Sequence, residues 1–161
     1  RGLDVNALVA LKAAGKGVRD HSSGKRLARD DIIGIECDVW IPAARPDVVR
    51  EDNVGQLRTK LVVQGANIPL TAGAERQLHE RGVLVVPDFI ANAGGVICAA
   101  LEYHGASQSL VFQEIEEKIR SNTEQVLDRA AAGGLPPREA AIELAAGRVR
   151  KAMSYRRWAI F

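Results

Sequence analysis

Aromatic residues make up only 4% of these 161 residues, methionine occurs once and cysteine twice. Two cysteines, Cys37 and Cys98, cannot build a disulfide framework or a multi-cysteine metal site. They are expected to be free thiols packed as small hydrophobes, in a reducing cytoplasm. No segment approaches the run of roughly 20 apolar residues that spans a bilayer, and the N-terminus shows no secretory pattern of a charged region followed by an apolar one. A formal net charge of +2 is too small to point to nucleic acid, and no basic run is interleaved with aromatics. The one basic cluster, Arg148, Arg150, Lys151, Arg156 and Arg157, reads as a solvated last helix, where cations are favoured. The only methionine is Met153 and the chain opens at Arg1. The expectation is therefore a piece cut or processed from a longer polypeptide.

Recognisable reactive constellations are equally scarce. His21, His79 and His104 are far apart and lack metal-ligand spacing. There is no nucleophile elbow, no phosphate loop and no Cys–His arrangement. No internal repeat or low-complexity segment is visible. No catalytic side chain and no metal site are expected.

What the sequence does contain is Ala, Val, Leu and Ile in short runs, the composition of a parallel sheet covered by helices. Three strand-like runs recur about 23 residues apart. Asp38-Val39-Trp40-Ile41 enters Pro42-Ala43-Ala44, Leu61-Val62-Val63 enters Gly65-Ala66-Asn67, and Val83-Leu84-Val85-Val86 enters Pro87-Asp88. Helix-like stretches over Pro46–Leu57 and Thr71–Arg81 separate them, the second with Thr71 as N-cap, Glu75 in its first turns and Gly82 as its stop. Right-handed crossovers then place all three turns on the carboxyl edge of one sheet, where open α/β folds bind ligands. The fold class is α/β, a partial parallel sheet of about three strands with crossover helices over about 35–104 and packing helices over about 108–155.

Around that centre, Leu3–Ala14 predicts a short amphipathic helix closed by Gly15 and Gly17, then a loop to Lys25. Asp30–Gly34 predicts a helical turn. Phe112, Ile115, Ile119, Val126 and Ala130 predict one long helix, with Glu114–Lys118 and Glu116–Arg120 pairs, ended by Gly133-Gly134. Pro136-Pro137 starts another, with Ile142, Leu144, Ala145, Val149 and Ala152 as its apolar face. These last helices are expected to pack back across the sheet.

Asn92-Ala93-Gly94-Gly95-Val96 is the most specific motif. In the first turn of a helix, two glycine N–H groups without internal partners would face a carboxylate or carboxamide; the same residues also read as a hinge after a strand. Taken singly, Gly65-Ala66-Asn67 reads first as a turn, with Asn67 as its turn residue. Pro42-Ala43-Ala44 taken singly reads first as a strand stop. Asp88 reads as a structural group, an N-cap or a support for Asn92. The co-location of three small-residue turns on one edge favours a flat ligand approaching the backbone.

These segments resemble the glutamate/leucine/phenylalanine/valine dehydrogenase family, closest to its glutamate dehydrogenase branch. The resemblance runs through Gly2-Leu3-Asp4-Val5, Cys37–Ala44, Lys60–Asn67, Val85–Val96 and Leu101-Glu102-Tyr103, in order and over most of the chain. It implies the later half of a Rossmann-like dinucleotide-binding domain, here 1–161, followed by helices returning toward a substrate domain. It also implies NAD- or NADP-dependent oxidative deamination of L-glutamate or a related L-amino acid to the 2-oxo acid and ammonia, in a cytoplasmic homo-oligomer. On the resemblance, Ala43, Ala44, Gly65, Ala66, Asn67 and Asn92 would bind the cofactor, and Val96 and Ala99 would line the substrate pocket. Glutamate-using members carry serine where this chain has Ala99, which favours a more apolar substrate. The Gly-rich phosphate turn, the acidic residue after the second strand and the substrate domain are not in these residues, so the chain alone is expected to be inactive. A non-catalytic nucleotide-sensing module and a pure interaction module of the same fold are the alternatives.

Overall fold

The computed structural model describes residues 2–156, in two compact units, Arg1–Ile32 and Ile33–Phe161. In the first, α1 (Val5–Ala13) starts where the Asp4 carboxylate accepts the Ala7 N–H at 3.0 Å. It ends before Gly15 at φ +73. No single apolar stripe stands out on α1: Ala7, Leu8 and Leu11 are half-buried, Val5 and Val9 lie open to solvent, nothing on the helix is buried, and Leu3 precedes it and is exposed. The predicted loop contains a short 3-10 turn, Val18–Asp20, whose Asp20 carboxylate folds back on the Gly17 N–H. Asp30–Gly34 forms the expected turn, also 3-10.

The second unit is built on a three-stranded parallel sheet, β1 (Val39–Trp40), β2 (Leu61–Val63) and β3 (Leu84–Val86), in the order β1-β2-β3. Val39 pairs with Leu61, and Leu61, Val62 and Val63 pair in step with Leu84, Val85 and Val86. Side chains alternate across a strand, so each apolar run feeds two cores at once. Val62 and Val85 enter one cluster with Val49, Val54, Leu57, Leu70, Ala74 and Leu78. Val86 enters the other with Ile90, Val126, Ala130, Ala140 and Ala141, and Leu61 and Val63 pack against it. The sheet is thus the middle of three layers, as its near-continuous apolar strands require.

One predicted helix does not form. Residues 46–57 run as turns, with a single 3-10 segment at Val54–Gln56 and an isolated bridge between Val49 and Leu70. Local side-chain bonding outcompetes the helix. Asn53 Oδ1 takes the Arg50 N–H at 2.7 Å and Asn53 Nδ2 donates to the Val48 carbonyl at 3.0 Å, while Asp47 sits at φ +50. The guanidinium of Arg81 closes this connection by donating to the carbonyls of Val54 (2.8 Å) and Leu57 (2.7 Å).

The second crossover is α2 (Ala72–Glu80), with Thr71 Oγ1 accepting the Ala74 N–H and Gly82 at φ +74 just past its end. After β3 come α3 (Asp88–Ala91), α4 (Gly94–Tyr103), α5 (Gln108–Gly133) and α6 (Pro137–Arg156). On α5 the Glu114–Lys118 pair closes at 2.7 Å, the Glu116–Arg120 pair also forms, and Gly134 ends the helix in the left-handed conformation at φ +60. The last helices do return across the sheet, with α6 against β3 and α5. Their buried faces match the expected ones in part: Val126 and Ala130 of α5 are buried, Ile115 and Ile119 are half-buried, and Leu144 of α6 packs against the second cluster. Val111, not Phe112, is buried on α5, and Ala140 and Ala141, not Ile142 or Val149, on α6. Ala140 and Ala141 sit in that cluster with Leu144 beside them, while Ile142 and Val149 are exposed. Arg148, Arg150 and Lys151 are exposed on α6, and Arg148 bonds to Asn122 and Gln125 of α5; Arg157 lies outside the described residues. No helix is long and apolar enough to cross a membrane among the described residues.

Candidate functional site

The loops leaving β1 and β2 lie side by side because β1 and β2 are parallel neighbours, and they are stitched together directly. The Pro42 carbonyl accepts both the Gly65 N–H (3.1 Å) and the Ala66 N–H (2.8 Å). Farther out, the Asp47 N–H donates to the Ile68 carbonyl at 2.9 Å. Between these stitches lies an open cleft of about 530 Å³ lined by Ala43, Ala44, Arg45 and Pro46 on one side and Gly65, Ala66, Asn67 and Ile68 on the other. A Cβ at Gly65 would stand 3.1 Å from the Ala43 Cβ, so the two loops approach as closely as side-chain-free backbone permits.

Asn92, from the turn between α3 and α4, reaches this cleft. Its Nδ2 donates to Asn67 Oδ1 at 2.8 Å and lies 3.5 Å from the Gly65 carbonyl. That bond leaves Asn67 Nδ2 and Asn92 Oδ1, one donor and one acceptor, without a partner among the described residues. Exchanging both amides end for end would leave one donor and one acceptor again. A carboxamide offers the complementary pair.

Behind the cleft is a buried polar cluster that sequence reasoning did not find. Arg138, near the start of α6, donates from Nε to Glu75 Oε2 (2.6 Å). Its Nη2 reaches Glu75 Oε1 (2.8 Å), Asp88 Oδ1 (2.9 Å) and Gln64 Oε1 (3.1 Å). Gln64 Nε2 in turn donates to Glu75 Oε1. Among the described residues, Gln64, Glu75 and Asp88 are the buried polar ones, and no buried side-chain polar atom lacks a partner. Burial alone would raise the Asp88 carboxyl, but the Ile68 N–H and the Arg138 guanidinium outweigh it and hold the group below its ordinary range. Asp88 is structural, as expected, but neither of its expected roles is its role: its side chain neither caps α3 nor touches Asn92, and it accepts the Ile68 N–H at 2.8 Å. Ile68 itself sits at φ +48, a left-handed conformation that costs a β-branched residue roughly 1–2 kcal/mol. No periodicity marks Arg138; its only sequence cue is the Pro136-Pro137 helix start beside it.

Five of the predicted site residues therefore share one cleft, and Asn92 is bonded to it. Val96 and Ala99 do not line it; both are exposed on α4, Val96 at 76%. Gly94 and Gly95 occupy the first turn of α4 as expected, with Gly94 against Ile115 of α5 and Gly95 facing open space. Cys37 and Cys98 are free and half-buried. No group of three or more His, Cys, Asp and Glu is arranged for a metal among the described residues. The cleft offers small walls, backbone polar groups and an unmatched amide pair, and no nucleophile or general base. That is equipment for holding a flat polar ring.

The family profile of glutamate/leucine/phenylalanine/valine dehydrogenases matches residues 1–157. An NADP(+)-dependent glutamate dehydrogenase of Pyrobaculum calidifontis is 45% identical over 132 residues, covering 76% of this chain and 31% of that protein. A glutamate dehydrogenase of Aeropyrum pernix is 31% identical over 167 residues, covering 98% of this chain and 40% of that one. In structure, the chain superposes over 99% of its length on 38% of the hetero-hexameric glutamate dehydrogenase of Thermus thermophilus, Leu-bound form, with TM-score 0.81 and 30% identity. The chain thus spans between 31% and 40% of the length of these curated relatives.

Proposed function

Because the chain belongs to the glutamate/leucine/phenylalanine/valine dehydrogenase family, we propose that its cleft takes the nicotinamide end of NAD or NADP. The chain would then be the cofactor-binding portion of an enzyme that deaminates L-glutamate, or a related L-amino acid, to the 2-oxo acid and ammonia. The observation that carries this reading is the convergence of Ala43, Ala44, Gly65, Ala66 and Asn67 on one cleft, with Asn92 bonded at its edge.

The residues fit the group. Gly65 and Ala66 keep the floor thin enough for a ring to lie against backbone, and the Asn67–Asn92 pair matches a carboxamide donor for acceptor. The bound cofactor would supply the hydride chemistry; these residues orient its ring and keep one face against the protein. Val96 and Ala99 are exposed on α4 and by this reading would meet a substrate held from outside the 161 residues. Ala99 offers no hydroxyl to a side-chain carboxylate, which favours a substrate less polar than glutamate. By the same reading the enzyme is an oligomer working in the cytoplasm, and the 161 residues alone turn nothing over.

A half-cofactor tests the cleft in this chain directly. Nicotinamide mononucleotide, titrated to millimolar levels and followed by NMR, is expected to shift the amides of Gly65, Ala66, Asn67 and Asn92. Adenosine monophosphate is expected to leave them in place. Equal shifts with both, or shifts with neither, would remove the nicotinamide assignment.

A further inference from the structure

We infer that Arg138 is a positioning residue for the cofactor turn: from the start of α6 it holds Gly65–Ile68 in the shape that makes the cleft. This rests on the nicotinamide reading for its functional meaning, but not for its geometry. The turn is gripped at both ends. At its start, Gln64 immediately precedes Gly65, and its side-chain oxygen accepts from Arg138 Nη2 at 3.1 Å. At its end, the Ile68 N–H is held by Asp88 Oδ2 at 2.8 Å, while Asp88 Oδ1 accepts from the same Nη2 at 2.9 Å. One guanidinium nitrogen therefore fixes both boundaries of the turn.

The turn needs such a grip because it contains a conformation the chain does not favour. Ile68 sits at φ +48, and a β-branched residue stays there only where its surroundings over-determine it. Two bonds do so, the Asp88 carboxylate on its N–H and the Asp47 N–H on its carbonyl. The first depends on Asp88 being aimed, and Arg138 aims it. Glu75 fixes Arg138 in turn through a two-pronged contact at 2.6 and 2.8 Å, a planar fork that lysine cannot copy. The Phe89 ring lies 5.4 Å below the guanidinium and closes off its face. Arg138 lies 74 residues from Gln64 and 50 from Asp88 in sequence, so the C-terminal helices set the geometry of a turn made in the middle of the chain.

Amide hydrogen exchange in the 161-residue chain reads this without any cofactor. In Arg138→Gln, the Ile68 amide is expected to exchange about tenfold faster or more, while the β2 amides of Val62 and Val63 keep their protection. Arg138→Lys, which keeps the charge and loses the fork, is expected to recover part of that protection. Asp88→Asn, nearly unchanged in shape, is expected to fall between wild type and Arg138→Gln. If Ile68 exchange is unchanged in all three variants, or if the β2 amides accelerate with it in all three, Arg138 is a general stabiliser and the inference fails. The nicotinamide mononucleotide titration is then read on the same proteins. Loss of its shifts in step with Ile68 protection supports the positioning role. Wild-type protein that shows the exchange pattern but no nicotinamide shifts keeps the clamp and rejects the cofactor reading.

Discussion

Asp88 shows how one carboxylate can serve two masters without being catalytic. Burial would favour its neutral form, yet the Ile68 N–H and Arg138 together keep it ionised below its ordinary value of 3.8. A carboxyl lowered by folding adds stability that is fully present above its unfolded value. That stability is lost as the pH falls through 3.8 toward the lower native value. Urea unfolding measured from about pH 7 to about pH 2.5 is therefore expected to show Asp88→Asn less stable than wild type near neutrality, with the gap closing in acid. A gap that stays constant across the range would mean that Asp88 acts by shape alone. At this scale the sequence was readable in part. Gly65, Ala66 and Asn67 were identifiable through the co-location of three small-residue turns on one sheet edge and through the family resemblance, since singly each turn reads as ordinary strand termination. Gln64, Glu75 and Arg138 were not, since a polar residue on a surface-like stretch carries no local mark of burial.

At the scale of elements, the helices that carry their own start and stop signals formed where those signals stand. The clearest is α2, where Thr71 caps the first turn and also holds the Val49 carbonyl through its own N–H at 3.0 Å. The Glu51 carboxylate closes on the same end. A Cβ at Gly73 would collide with Glu51 Oε1, so glycine there makes room for it. Thr71→Ala is expected to lower unfolding stability by about 1–2 kcal/mol in chemical denaturation, and Thr71→Ser to restore most of it. An unchanged midpoint in Thr71→Ala would shift the capping role to Glu51. The stretch 46–57 failed for the opposite reason. Its apolar spacing is compatible with a helix, but Asn53 offers the backbone closer partners and Asp47 sits at φ +50; of this stretch only Pro46 lines the cleft. On α5 the expected face held at Val126 and Ala130 and failed at Phe112, while on α6 Leu144 packs as expected but Ala140 and Ala141, rather than Ile142 and Val149, are buried.

At the scale of the molecule, the sheet ends abruptly at β1. No strand pairs with the outer side of β1 among the described residues, and Val39 and Ile41 beside it are 47% and 60% exposed. Unpaired strand edges with apolar flanks recruit further strands. Sedimentation of the 161-residue chain is expected to show self-association at tens of micromolar, weakened by Ile41→Lys. A single monomeric species at that concentration would show the edge to be protected. Val96 and Tyr103 on α4 and Phe112 on α5 are also exposed apolar or aromatic residues, at 76%, 87% and 64%.

Sequence by itself determined the strands, their parallel order, the capped helices and the five small residues of the cleft, because each depends on near neighbours or on a short period. It also carried the family resemblance, since Lys60–Asn67 and Val85–Val96 keep their motifs in order. Tertiary structure alone decided the rest. The cleft exists because parallel pairing sets the 43–46 and 65–68 loops side by side. The turn keeps its strained residue because Arg138, far away in the chain, arrives there with α6. Burial, charge pairing and backbone strain are properties of contacts across the fold, and no local pattern of residues encodes them.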